Sequence, residues 1–171
     1  MHISILTGCL LACLPTVSAG EQPITANVTL TDALDSSVAY LNLDSSLGNG
    51  VVAFSRNETQ HWLFKAVGDL LSGWHVVRDS NSARFIQFPK FEEGAVAVVT
   101  ESSVSSAKID SSTGNGTYTI SSGDLNGKGL LWTVEPFSDE NPTRVLKLRK
   151  PADGAHQTFK IAKLPRPTPP R

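Results

Sequence analysis

The chain has 171 residues, with 15 Lys and Arg set against 16 Asp and Glu. That balance, with no basic stripe, excludes nucleic acid as an expected partner. Removal of a short leader would leave about 150 residues, enough to hold one ordinary domain by its core.

Residues 1–19 read as that leader. From His2 to about Leu14 the chain is apolar and uncharged, and Val17-Ser18-Ala19 supplies small residues for cleavage before Gly20. The apolar run is shorter than the roughly 20 residues of a membrane-spanning helix, so a secretory signal peptide is expected and no membrane partner. Leu10-Leu11-Ala12-Cys13 loosely resembles a bacterial lipoprotein site, but Leu11 fits poorly and no Lys or Arg precedes it. Cys9 and Cys13 both fall inside the leader, so the mature, secreted chain is expected to be free of disulfides. Three sequons, at Asn27, Asn57 and Asn115, suggest an extracellular glycoprotein, and a monomer is expected.

Beyond a polar leader to about Thr25, apolar residues alternate at period two in short runs bounded by Gly, Asn, Asp and Ser. Runs at 27–30 and 39–43 precede runs at 50–56 and 60–64. Runs at 74–77, 84–88, 94–100 and 105–109 repeat the order, as do those at 117–120, 130–134, 144–149 and 157–161. Val, Ile, Thr and aromatic residues fill them, as half-buried pleated surfaces favour. Only 67–71 could make a helical turn. Residues 165–171 hold four prolines and two arginines and are expected to be an extended, disordered tail.

Landmarks recur through these runs. Val52, Val96 and Leu146 mark the third run of each unit, and Trp62, Ala107 and Phe159 the fourth. Such repetition decides the architecture. Three units of four short strands are the inventory of an all-β, β-trefoil domain over 20–164: six strands close a barrel and six more cap it as hairpins. Trp62, Ala107 and Phe159 are then the threefold-related core residues. Phe85, Phe88 or Phe91 is expected to fill the space beside the small Ala107. Gly48-Asn49-Gly50 and Gly114-Asn115-Gly116 carry the Asn-Gly signal of tight hairpin turns.

The first unit reads Leu43-Asp44, then Gly48-Asn49-Gly50, then Val51-Val52-Ala53-Phe54, then Gln60-His61-Trp62. This resembles one repeat of the ricin B-type lectin trefoils. The resemblance implies a sugar site in which an Asp accepts hydroxyl hydrogen bonds and an aromatic ring stacks on the apolar face of the sugar. Carried over by position, Asp44 is the acceptor, Phe54 the plate and Gln60 the motif glutamine, with Asn57 or Thr59 where the family has Asn. The second unit has Gln87 or Phe88 near the Asp position. The third has Thr133 there, with Lys147 and Leu148 on the stacking strand, so at most one site keeps the pairing. A turn role for Asp44, a core role for Phe54 and a stapling role for Gln60 are the competing readings.

The same degenerate pattern is similar to fungal trefoil protease inhibitors, which implies an exposed loop that enters a protease cleft. Arg78 and Lys90 are the candidate cations for an acidic primary pocket, and the loop 138–142 is a further candidate. An interaction protein with neither activity stays open. No enzyme is expected. Glu92-Glu93 and Asp139-Glu140 are neighbours whose side chains would diverge on a strand, and no Gly-x-Ser-x-Gly occurs. His61, His75 and His156 lack ligand spacing, so neither a metal nor a cofactor is expected. The expected partner is a glycan or an extracellular protein such as a protease.

Overall fold

A computed structural model describes residues 26–47, 50–67, 74–82, 84–101, 105–112, 116–123, 129–154 and 156–164. The expected signal peptide, proline-rich tail and helical turn near 67–71 fall wholly or largely outside these residues. Among the described residues there are twelve strands and one short 3₁₀ turn, Ser45–Leu47, and no α-helix. No helix there is long and apolar enough to cross a membrane.

The first unit comprises β1 (Ala26–Asp32), β2 (Val38–Asn42), β3 (Val51–Ser55) and β4 (Trp62–Ala66). The second comprises β5 (Trp74–Asp79), β6 (Phe85–Gln87), β7 (Val98–Thr100) and β8 (Ser106–Ser112). The third comprises β9 (Thr117–Ser122), β10 (Leu130–Pro136), β11 (Arg144–Arg149) and β12 (Phe159–Lys163). Strands β1, β4, β5, β8, β9 and β12 pair in that cyclic order, each antiparallel to the next, and β12 returns to β1. Closure removes free edges from the barrel.

The other six strands form three hairpins that meet over one end. Val145 faces Ala53, Val51 faces Val98, and Val96 bridges to Lys147. Two rings follow from this register. Val51, Val96 and Val145 occupy one threefold-related position, and Ala53, Val98 and Lys147 the other. The inward residues are therefore Val52, Ala97 and Leu146, all fully buried. The landmark expected at Val96 is one residue early, because the chain reaches β7 through a single bridge and a turn at Gly94 with φ 87°.

Trp62, Ala107 and Phe159 are all fully buried in one core cluster. Phe88 is buried with them, whereas Phe91 is exposed and Phe85 half-buried, so Phe88 is the one that enters the core. Its ring lies 6.0 Å from that of Trp132. Gly50 and Gly116 adopt positive φ of 85° and 69°; the other members of those two turns lie outside the described residues. At Gly50 a side chain would also press on Leu41 Cδ1 at 3.3 Å.

Candidate functional site

The Gln60-His61-Trp62 motif sits where β4 enters the barrel. Gln60 Oε1 accepts the Leu41 N–H at 2.6 Å, and its Nε2 donates to Asp79 Oδ1 at 2.9 Å. Trp62 Nε1 donates to the Ala39 carbonyl at 3.0 Å. Both side chains thus tie β4 to the β2 hairpin. Gln157 repeats the arrangement in the third unit, accepting from Ala152 N and donating to Thr133 Oγ1 and the Lys150 carbonyl. Gln60 thus uses both its amide oxygen and its amide nitrogen to staple strands of the fold.

Phe54 is 6 % exposed and packs with its ring centroid 6.2 Å from that of Phe159. It has no open face to serve as a stacking plate. The reason is local: β3 is buried on both faces, so alternation along Val51–Phe54 carries no outward side. Asp44, in contrast, is exposed at the start of the 3₁₀ turn. Its Oδ1 accepts the Ser46 N–H at 2.9 Å, and its own N–H donates to Asn42 Oδ1 at 2.8 Å. The Ser46 backbone and hydroxyl bonds hold its carboxyl below the ordinary 3.8. Asp44 thus forms a turn with its own backbone, yet keeps an ionised carboxylate facing solvent.

Sequence reasoning passed over two neighbours. Tyr40 and Asn42 lie on one face of β2, joined by an Asn42 Nδ2 donation to Tyr40 Oη at 3.3 Å. Both are half-buried, and Tyr40 stands opposite Ala53 on the outer side of the hairpin. Tyr40, Asn42 and Asp44 therefore form a line of an aromatic ring, an amide and a carboxylate. Period-two spacing was the available signal. The related positions are Gln87 and Pro89 in the second unit, and Thr133 and Glu135 in the third, which lack the ring.

The remaining candidates divide. Arg78 lies within β5, opposite Phe85, half-buried and with its Nε buried and unpartnered. It is not a loop residue, because β5 continues through Asp79 before turning. Asp79 accepts hydrogen bonds from Asn81, Ser82 and Gln60; burial opposes its charge, but these bonds outweigh burial and keep its carboxyl below 3.8. Lys90 is exposed in the β6–β7 connection, 3.6 Å from Glu92. Asn27 and Asn57 are exposed, whereas Asn115 lies outside the described residues.

One further cluster joins the first unit to the third. Asp32, fully buried, contacts Arg144 at 2.9 Å and His156 Nδ1 at 2.6 Å. Asp35 pairs with the same guanidinium. Asp32, Asp35 and His156 lie close enough together to hold a metal ion. The positive charge between the two carboxylates is Arg144, so the cluster reads as an ion network that anchors the first turn.

No protein-family model and no curated protein matches the sequence. Solved structures do. A ricin B-like lectin from Macrolepiota procera, in complex with lactose, is 16% identical, with TM-score 0.64 over 84% of this chain and 99% of that one. The designed threefold-symmetric protein ThreeFoil is 16% identical, with TM-score 0.61 over 81% of this chain and 99% of that one. An exo-beta-1,3-galactanase from Clostridium thermocellum is 22% identical, with TM-score 0.61 over 83% of this chain but only 31% of the enzyme, so this chain spans about a third of its length. The closed six-stranded barrel, its three capping hairpins and these likenesses agree: the chain is a β-trefoil and shares its fold with the ricin B-like lectins.

Proposed function

We propose that this protein is a secreted, non-catalytic trefoil that binds carbohydrate on the outer face of β2. The observation that carries the reading is the line Tyr40, Asn42 and Asp44, with Asp44 exposed and held ionised. A pyranose has a C–H face and a rim of hydroxyls. Tyr40 offers the aromatic surface that Phe54 does not, and Asp44 accepts from neighbouring hydroxyls. Lactose in the Macrolepiota procera lectin complex is consistent with such chemistry on this fold. The apolar leader at 1–19 supports secretion.

Glycan-array binding is the test. Wild-type protein should bind at least one glycan, and Asp44→Asn and Tyr40→Ala should each weaken binding about tenfold or more, the loss expected when a charged acceptor or a buried aromatic contact is removed. Absence of binding by the wild type to every glycan, or full binding by both variants, would sink the reading.

Protease inhibition remains as a second reading, favoured by Lys90. Its side chain is 74 % exposed on a connection braced by the Gly94 N–H donation to the Leu148 carbonyl at 2.8 Å. Inhibition of a protease with an acidic primary pocket, lost in Lys90→Ala, would support it. A protease panel without inhibition at micromolar protein would remove it.

A further inference from the structure

The outer face of the hairpin cap departs from its own threefold symmetry. In the third unit this face is closed by charge: Glu135 receives Arg149 at 2.6 Å and Lys147 at 3.0 Å, and Lys147 also donates to the Phe137 carbonyl. Where Lys147 stands, the first two units have Ala53 and Val98. Where Glu135 stands, the second has Pro89. Those sectors hold no comparable network among the described residues, and they leave an open groove of about 340 Å³. Its walls are Leu47, Val51, Val96, Val98, Ala95 and Phe137, and its rim carries Lys90 and Glu92.

Between these two rim charges stands Phe91, which is 53 % exposed and does not line the groove. One face therefore carries an apolar knob, an apolar hole beside it, and one charge of each sign flanking the knob. With a twofold axis set between knob and groove, a half-turn places each copy's Phe91 over the other's groove and brings Lys90 and Glu92 of the two copies to one seam. The groove is roomy for one ring, since a cavity of about 150 Å³ holds benzene.

We propose that two copies of this chain pair through this cap face about a twofold axis. Phe91 of each copy enters the groove of the other, and Lys90 of each turns from its own Glu92 to that of its partner. Rim pairs of this kind fix orientation and partner choice more than affinity. Phe91 supplies most of the binding, as one buried aromatic anchor commonly does. The proposal rests on residues other than the line Tyr40, Asn42 and Asp44, although Tyr40 packs on the same cap cluster as the groove walls Leu47 and Val51.

Sedimentation velocity of the mature chain, from low micromolar to submillimolar concentration, tests it. A concentration-dependent monomer–dimer equilibrium is expected. Phe91→Ser should raise the dissociation constant at least about tenfold. Lys90→Glu should also weaken the dimer, and the double variant Lys90→Glu with Glu92→Lys should restore it, since the exchange returns opposite charges to each contact. These positions are exposed, so unchanged circular dichroism is the check that each variant is folded. A monomer at every concentration overturns the proposal, as does a dimer indifferent to Phe91→Ser and to charge reversal.

Discussion

A part-buried backbone donor that loses its acceptor is costly, and this makes Gln60 a sharper structural residue than its half-exposed surface suggests. Its carbonyl takes the Leu41 N–H and its amide reaches Asp79 across two strands. Gln60→Ala leaves the Leu41 N–H without that acceptor, while Asp79 keeps its bonds from Asn81 and Ser82. The expected cost is about 1–3 kcal/mol, read as a lower midpoint in urea with little change in slope. Asp44→Asn removes a fully exposed charge and should leave that midpoint unmoved while reducing glycan binding. The two variants separate fold from function within one repeat. The sequence could not make that separation, because a Gln two residues before an aromatic reads the same in either role. Nor could it place Phe54: Val51, Val52, Ala53 and Phe54 are all buried, so the parity that would have named an inner and an outer face was absent. Parity did hold in β2, where it aligns Tyr40 with Asn42, so the signal was present there although the sequence reading went to Phe54 instead.

Elements, rather than residues, decide how the molecule meets acid. The β10–β11 hairpin carries Glu135 between Lys147 and Arg149. Burial opposes its charge, but the hydrogen bonds and charges of those two partners prevail and keep its carboxyl below the ordinary 4.5. A depressed carboxyl contributes stability that is fully present above its unfolded value and lost as pH falls through the folded one. Thermal stability should therefore decline once pH drops below about 4.5. Glu135→Gln should cost about 1–3 kcal/mol at neutral pH, a fall of several degrees in Tm, and should flatten part of that acid limb. Calorimetry across pH measures both; an acid limb identical in the variant would assign the loss elsewhere. A different constraint acts on β8, where Ala107 holds the position that Trp62 and Phe159 hold in their strands. Spacing alone identified the three as related. The partner that fills the space was not legible, because Phe85, Phe88 and Phe91 differ only in their place along a short irregular hairpin. With Phe88 already buried, Ala107→Leu should overpack the core and cost about 1–3 kcal/mol.

At the scale of the whole molecule, the threefold pattern was readable because each unit buries the same strand faces, and drifting loop lengths do not disturb that. What no single unit shows is closure. β1 pairs with β12 from Val28–Lys163 to Asp32–Phe159, so the first and last strands of the domain lie side by side. The Asp32, Arg144 and His156 cluster and the Leu164 N–H donation to the Asn27 carbonyl reinforce the same seam. A barrel without its twelfth strand leaves β1 and β9 with exposed edges and removes Phe159 from the core. Truncation before Phe159 should therefore abolish the cooperative transition altogether, rather than subtract one strand's share of stability. Closure by strands so far apart in sequence also sets the kinetics. The loop-closure cost precedes the contacts that offset it, which places refolding in the millisecond-to-second range of all-β domains. Stopped-flow tryptophan fluorescence reports this directly, since Trp62 and Trp132 are both buried. Loss of His156 through His156→Ala, which frees one side of Asp32, should speed unfolding more than it slows refolding if the seam forms late. An equal effect on both rates would place closure of the barrel in the folding nucleus.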